Sequence, residues 1–206
     1  MTAFDYIENH HWHVFDEKHN PHQDSGNSAL AYQDSFLRYV PFLNQNQSSK
    51  NNAILHFYPL QKEAILLGSK DTRLKDVFSA NQFLVDSGYD VLLRPHGGLA
   101  VVNDPGILNV GLVSDNQHYP LSIDLAYEQM VQLVQQSLSQ WNIKVESYEI
   151  PDSYCPGKYD LVVNGKKIGG IAQRRFKSGV TTAAYLSVNG DQQARAELLQ
   201  AYYRTG

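Results

Sequence analysis

Apolar positions along the chain recur at periods of 3.6 and 2, and the alternation between the two outlines its elements. Ala29, Tyr32, Phe36 and Val40 follow the candidate caps Asn27 and Ser28 at helical spacing, which predicts a first amphipathic helix ending near Pro41. After a polar stretch from Asn44 to Asn52, Ala53 to Tyr58 and Glu63 to Leu67 read as two short strands paired around Pro59. A second helix is expected from about Leu74 to Ser87, closed by Gly88, and Tyr89 to Leu93 is a short apolar strand. Leu99 to Val102 and Ile107 to Val113 read as strands about the turn Asn103-Asp104-Pro105-Gly106. Tyr127, Met130, Val134, Leu138 and Trp141 mark the longest helix, residues 122–140, with Ser122 as its cap.

Tyr159 to Val163 and Lys166 to Arg174 flank Asn164-Gly165, the strongest short hairpin signal a sequence carries, because both residues tolerate the positive φ of a type I′ turn. Val180 to Val188 makes a further strand, and Asp191 caps a last helix bearing Ala194, Leu198 and Ala201. Helices and strands intermix without strict βαβ alternation, so the expected fold class is α+β, a mixed β-sheet with packed helices. No repeat or composition break divides the chain, and a single domain over residues 1–206 is expected.

Composition narrows the function classes. The 206 residues carry 17 Lys and Arg against 21 Asp and Glu, a formal charge of −4, which gives no electrostatic reason to expect nucleic acid or an anionic membrane as partner. The one cysteine, Cys155, excludes an intramolecular disulfide and multi-cysteine metal clusters. No apolar run approaches the length of a membrane span and the start lacks a signal-peptide pattern, so the expected location is cytoplasmic. His10, His11, His13, His19 and His22 crowd the start of the chain; a polar, mobile end accounts for them better than a metal site, and no metal is expected.

Three segments carry candidate chemistry. In Arg94-Pro95-His96-Gly97-Gly98, paired glycines let backbone N–H groups approach a ligand and Arg94 adds a fork of donors; a tight hairpin with a surface arginine has the same pattern. Cys155 lies in Ser153-Tyr154-Cys155-Pro156-Gly157-Lys158, a turn with a nearby lysine, where a thiol can serve as nucleophile, although lone cysteines are more often inert. Lys167 follows the Asn164-Gly165 turn, and strict alternation sends Lys167 and Gly169 to one face and Ile168 and Gly170 to the other. Facing inward, Lys167 can polarise an acyl carbonyl; facing outward, it is a solvated edge lysine. His56 and His96 have no visible acid partner, and no Ser–His–Asp arrangement can be assembled.

Together these pieces resemble the biotin/lipoate protein ligase superfamily. Its Arg-x-x-Gly-Gly-x-Ala-Val-x-x-Asp-x-Gly-x-x-Asn run stands at Arg94 to Asn109, and its lysine motif at Tyr159-Asp160-Leu161 and Gly165-Lys166-Lys167-Ile168-x-Gly170-x-Ala172-Gln173-Arg174. The resemblance extends from about Trp12 to the end and implies a twisted mixed sheet with helices on one side. It implies an acyl chain bound along Arg94, Gly97, Gly98, Leu99, Ala100, Asn109, Gly170 and Ala172.

Leu99 stands where ATP-dependent lipoate ligases carry a third glycine, and Asn103 where they carry a histidine. Ser153 to Leu161 is similar to the loop of the cysteine-dependent octanoyltransferase branch. That branch implies Cys155 and Lys167 as catalytic residues, no cofactor, and transfer of an octanoyl or lipoyl group through a thioester. The implied donor is octanoylated glycine cleavage H protein and the implied acceptors are E2 lipoyl domains. The alternatives are an ATP-dependent lipoate–protein ligase, an octanoyl transferase fed by acyl carrier protein, and a non-catalytic acyl- or carrier-binding module. Relatives of the branch run further past the last helix, so a C-terminal tail is expected to be absent here.

Overall fold

The computed structural model describes residues 8–19, 26–45, 51–117 and 120–206. The strands are β1 (His10–Asp16), β2 (Asn51–Phe57), β3 (Ala64–Leu67), β4 (Asp90–Leu93), β5 (Val101–Asn103), β6 (Ile107–Asp115), β7 (Glu146–Ser147), β8 (Leu161–Val163), β9 (Lys166–Phe176) and β10 (Gly179–Ser187). The α-helices are α1 (Gly26–Asn44), α2 (Val77–Asp86), α3 (Ile123–Ser139) and α4 (Gln192–Thr205).

Seven strands form one sheet in the order β1-β2-β6-β10-β9-β8-β7, and three form a second, β4-β3-β5. The sheets are mixed: β1 runs parallel to β2 and β4 parallel to β3, while β6, β9 and β10 pair antiparallel. Alternation along β6 explains the layers. Val110 and Leu112 join Met130 and Val134 of α3 in one cluster, while Val113 packs with Val40 of α1 and Gly111 faces Gln33 of α1. Helices therefore cover both faces of the large sheet, not one. Apart from Asn109 and Asp115, the residues of β6 and β10 are apolar or small on both sides, as a strand buried on two faces requires.

The small sheet works the same way. Ile65 and Leu67 face Ala80 and Leu84 of α2 and Leu199 and Tyr202 of α4, while Ala64 and Leu66 join Ala29, Tyr58 and Tyr185 between the two sheets. That inter-sheet layer is where the cavity described below opens.

Two of the expected caps and the hairpin turn hold, whereas Asn27 and Ser28 lie inside α1, which starts at Gly26, and do not cap it. Ser122 Oγ accepts the Leu125 N–H at 3.1 Å, and the Asp191 carboxylate accepts from Gln193 and Ala194. Asn164 and Gly165 take φ of 50° and 73°, closing the β8–β9 hairpin.

Four further expectations are corrected. Pro41 lies inside α1 instead of ending it. Proline cannot donate to the Leu37 carbonyl, and that oxygen turns toward β10 at Gly179, where a Cβ would come within 2.1 Å of it. Strands β2 and β3 belong to different sheets, as do β5 and β6, so neither adjacent pair is a hairpin. The early histidines are not a mobile end: His10, His11 and His13 lie on β1, an edge strand, where His13 Nε2 meets Asn52 Oδ1 at 2.8 Å. His22 lies outside the described residues. His56 does have an acid partner, the buried Glu17, at 2.5 Å across 39 residues of sequence.

Candidate active site

A cavity of about 210 Å³ lies between the two sheets. Leu66 and Val101 of the small sheet, Leu30 of α1 and Ala183 and Tyr185 of the large sheet form its walls, and Arg94, Gly97, Gly98 and Cys155 border it. Its polar groups are largely uncharged. Burial, reinforced by Arg94 and Arg174, lowers the His96 imidazole to about 3, so it is neutral at physiological pH. Burial likewise raises the Tyr58 phenol to about 12 and that of Tyr185 well above its ordinary value.

Cys155 sits in the long connection from β7 to β8 with a φ of 49°, a left-handed conformation unusual for a side chain with a Cβ. The turn aims its sulfur at the glycine loop, where the Leu99 N–H donates to Sγ at 3.1 Å. Arg94 Nη2 stands 3.9 Å from the same sulfur and donates to the carbonyls of Gly97, at 3.1 Å, and Leu99, at 2.8 Å. Gly98 has a φ of 96°, and a Cβ there would lie 3.0 Å from Cys155 Sγ and 2.8 Å from Arg94 Nη2, so glycine is required for both reasons.

Lys167 reaches this loop because β9 carries a bulge. Leu161 pairs with Gly169 and Val162 with Lys167, leaving Ile168 as the extra residue. Ile168 packs on the α3 side, while Gly170 and Ala172 line the cavity. The expected grouping of Lys167 with Gly169 is corrected: the bulge resets the phase and puts Lys167 on the face of Gly170.

The Lys167 ammonium donates to the carbonyls of Tyr154 and Cys155, at 3.1 and 2.8 Å, and to Ser153 Oγ at 3.2 Å. It also pairs with the buried Asp160 at 2.9 Å. Its charge is thereby tied to the backbone of the cysteine loop.

Among the residues singled out in sequence for the acyl chain, Arg94, Gly97, Gly98, Asn109, Gly170 and Ala172 line the cavity. Two do not. Ala100, just before β5, packs in the core with Val102, Leu199 and Tyr202, on the side that faces α4. Leu99 borders a second cavity of about 350 Å³, between the cysteine loop and α4, and serves the site through its N–H. Sequence reasoning missed Asp160, His96, Tyr185 and Tyr203 as parts of the site. Asp160 stood within the lysine motif and His96 within the Arg94–Gly98 segment, so both were within reach; Tyr185 and Tyr203 have no local signal.

A solved lipoate-protein ligase A bound with ATP superposes with a TM-score of 0.64 at 20% identity, covering 96% of this chain and 75% of that one, a likeness of fold alone. The lipoyl protein ligase A/B catalytic domain matches residues 26–205, and the chain belongs to that family. Among curated relatives it is 36% identical over 195 residues to an octanoyl-[GcvH]:protein N-octanoyltransferase of Geobacillus kaustophilus, with 95% of this chain and 66% of that protein aligned. It is 41% identical over 144 residues to a lipoyl-[GcvH]:protein N-lipoyltransferase of Listeria monocytogenes, covering 70% of this chain and 52% of the relative. The chain thus spans about half to two thirds of the length of these relatives.

Proposed function

We propose that this chain is the catalytic domain of a cytoplasmic acyltransferase that moves an octanoyl group between lysines of carrier proteins through a thioester on Cys155. The donor is an octanoyl-lysine on glycine cleavage H protein and the acceptor a lysine of an E2 lipoyl domain. The observation carrying this reading is the placement of Cys155 Sγ at the border of the acyl cavity, 3.1 Å from the Leu99 N–H, in a loop fixed by Lys167.

In the first half, the Cys155 sulfur attacks the amide carbonyl. The C–S bond forms, the C–N bond breaks, and the thiol proton ends on the departing lysine amine. In the second half the acceptor amine attacks the thioester, taking the acyl group and returning the proton to sulfur. One amide is exchanged for another, so no nucleotide is needed. The developing oxyanion forms beside the Leu99 N–H, and a donor so placed is worth roughly 3 kcal/mol.

Lys167 contributes by holding the cysteine loop through the Tyr154 and Cys155 carbonyls, with its charge balanced by Asp160. Six of the eight positions assigned to acyl binding line a cavity whose walls are mostly apolar, which favours an aliphatic chain at about 0.8 kcal/mol per buried methylene.

Intact-mass measurement tests the reading. Incubation with octanoylated H protein adds one octanoyl group to the chain, hydroxylamine removes it, and Cys155→Ala gains nothing. An alanine variant that still acquires the group refutes the nucleophile. Competition between octanoyl acyl carrier protein and octanoyl H protein identifies the donor, and pyrophosphate release with ATP and lipoate would point to a ligase instead.

A further inference from the structure

The Leu99 N–H can hold the Cys155 sulfur only if the glycine loop itself is held: Arg94 holds its carbonyls at Gly97 and Leu99, and the Ala100 N–H is held from the far end of the chain. Tyr203, on α4, accepts the Ala100 N–H on its phenol oxygen at 2.9 Å and donates its own proton to Asp71 at 2.8 Å. Asp71 is fully buried and uses its other oxygen to accept the Gly68 N–H at 2.7 Å. Gly68 in turn presses against the loop: a Cβ there would lie 2.1 Å from the Gly98 carbonyl oxygen. Burial and the Asp71 carboxylate push the Tyr203 phenol well above its ordinary value, so it stays protonated and keeps both bonds.

We propose that Tyr203 is a positioning residue of the Cys155 site, its hydroxyl fixing the turn from Gly98 to Ala100 so that the Leu99 N–H stays on the sulfur. The proposal rests on the reading of Cys155 as nucleophile. Leu99 and Ala100 are consecutive amides pointing to opposite partners, Cys155 Sγ and Tyr203 Oη. Releasing the second leaves the Leu99–Ala100 peptide held at its carbonyl by Arg94 alone, free to swing about that bond and to draw the Leu99 N–H away from sulfur. An N–H aimed at sulfur favours the thiolate, which is the reactive form.

Tyr202→Phe is the control. Tyr202 is on the same helix, its ring meets that of Tyr203 edge-on at 4.9 Å, and its buried hydroxyl has no hydrogen-bond partner among the described residues. Iodoacetamide alkylation of Cys155 at pH 7 is expected to slow about three- to tenfold in Tyr203→Phe, the scale of one lost hydrogen bond, and to stay at the parent rate in Tyr202→Phe. Acyl-enzyme formation should fall by a similar factor with half-saturation by the octanoylated donor unchanged. A folded Tyr203→Phe that alkylates at the parent rate overturns the proposal.

Should Tyr203→Phe not fold, amide hydrogen exchange on the parent decides. Leu99 and Ala100 amides are expected to be protected together with α4, and exchange at the rate of an open loop overturns the idea. Alkylation and exchange require no acyl transfer, so a protein that never forms an acyl-enzyme still reports on Tyr203.

Discussion

His96 shows how one side chain ties the cavity to pH. It is buried in the cavity wall, and its Nε2 has no hydrogen-bond partner among the described residues. Its imidazole, lowered to about 3 from an ordinary 6.5, is neutral in the folded chain while the unfolded chain takes up a proton below 6.5. The associated stability is complete above pH 6.5 and drains away as pH falls toward 3, at up to about 1.4 kcal/mol per pH unit. Thermal unfolding of the parent and of His96→Asn, compared at pH 7 and pH 5, should show the parent losing the larger share of its stability. Equal losses would mean that His96 is protonated inside the fold.

Lys167 and Asp160 make the complementary case, a pair buried together. Their side chains are 7% and 2% exposed, and the lysine also satisfies two loop carbonyls. A buried charge is tolerable with such partners and costly without them. The same ammonium therefore serves the fold and the loop carrying Cys155.

At the scale of elements, the β9 bulge decides what faces the cavity. Gly170 lines the cavity opposite Tyr185, and a Cβ at 170 would lie 2.9 Å from the Tyr185 ring. Gly170→Ala should narrow the cavity there and penalise long chains. Transfer of an octanoyl group is expected to fall relative to hexanoyl by roughly tenfold, the worth of two methylenes. Rates for both chain lengths on one donor protein measure this, and an unchanged ratio would place the chain elsewhere.

The bulge also marks the limit of what the residues disclose one at a time. Asn164-Gly165, Ser122 and Asp191 were legible because turn and cap chemistry acts within four residues. The phase of Lys167 was not, because alternation assumes regular pairing and the extra residue at Ile168 appears only against β8. Pro41 misled for a related reason: a helix end is inferred locally, whereas packing on β6 and β10 carries α1 through the missing hydrogen bond. The motif run around Arg94 brings four of its six expected acyl-binding positions to the cavity, and the lysine motif brings both of its own, Gly170 and Ala172. Ala100 and Leu99 fell outside because their surroundings come from α4. Tyr203 and Asp71 lie 132 residues apart, and nothing near either announces the other.

At the scale of the whole molecule, the question is what keeps two sheets and a closing helix in register around the cavity. The chain passes from the small sheet to the large one through the short turn between β5 and β6, which contains Asp104. Arg195, near the start of α4, grips that turn: its Nε and Nη2 donate to the two Asp104 oxygens at 2.7 and 2.6 Å, and Nη2 also donates to the Asn189 carbonyl at 2.7 Å. The backbone is shaped around the guanidinium, since a Cβ at Gly106 or Gly190 would lie 2.7 or 2.2 Å from Nη2. The side chain is 3% exposed, so truncating it leaves the Asp104 carboxylate with the Gly106 N–H and solvent as partners and loosens the crossing. Arg195→Met should lower stability by about 3–5 kcal/mol, the cost of breaking a buried pair from one side. Urea unfolding followed by circular dichroism would record this as a lower midpoint with little change in slope, because the surface exposed on unfolding is nearly the same. Arg195→Lys should recover a fraction at most, since a lysine cannot make the two-pronged contact. A midpoint matching the parent in Arg195→Met would show that apolar packing between the sheets holds α4 in place without the clamp.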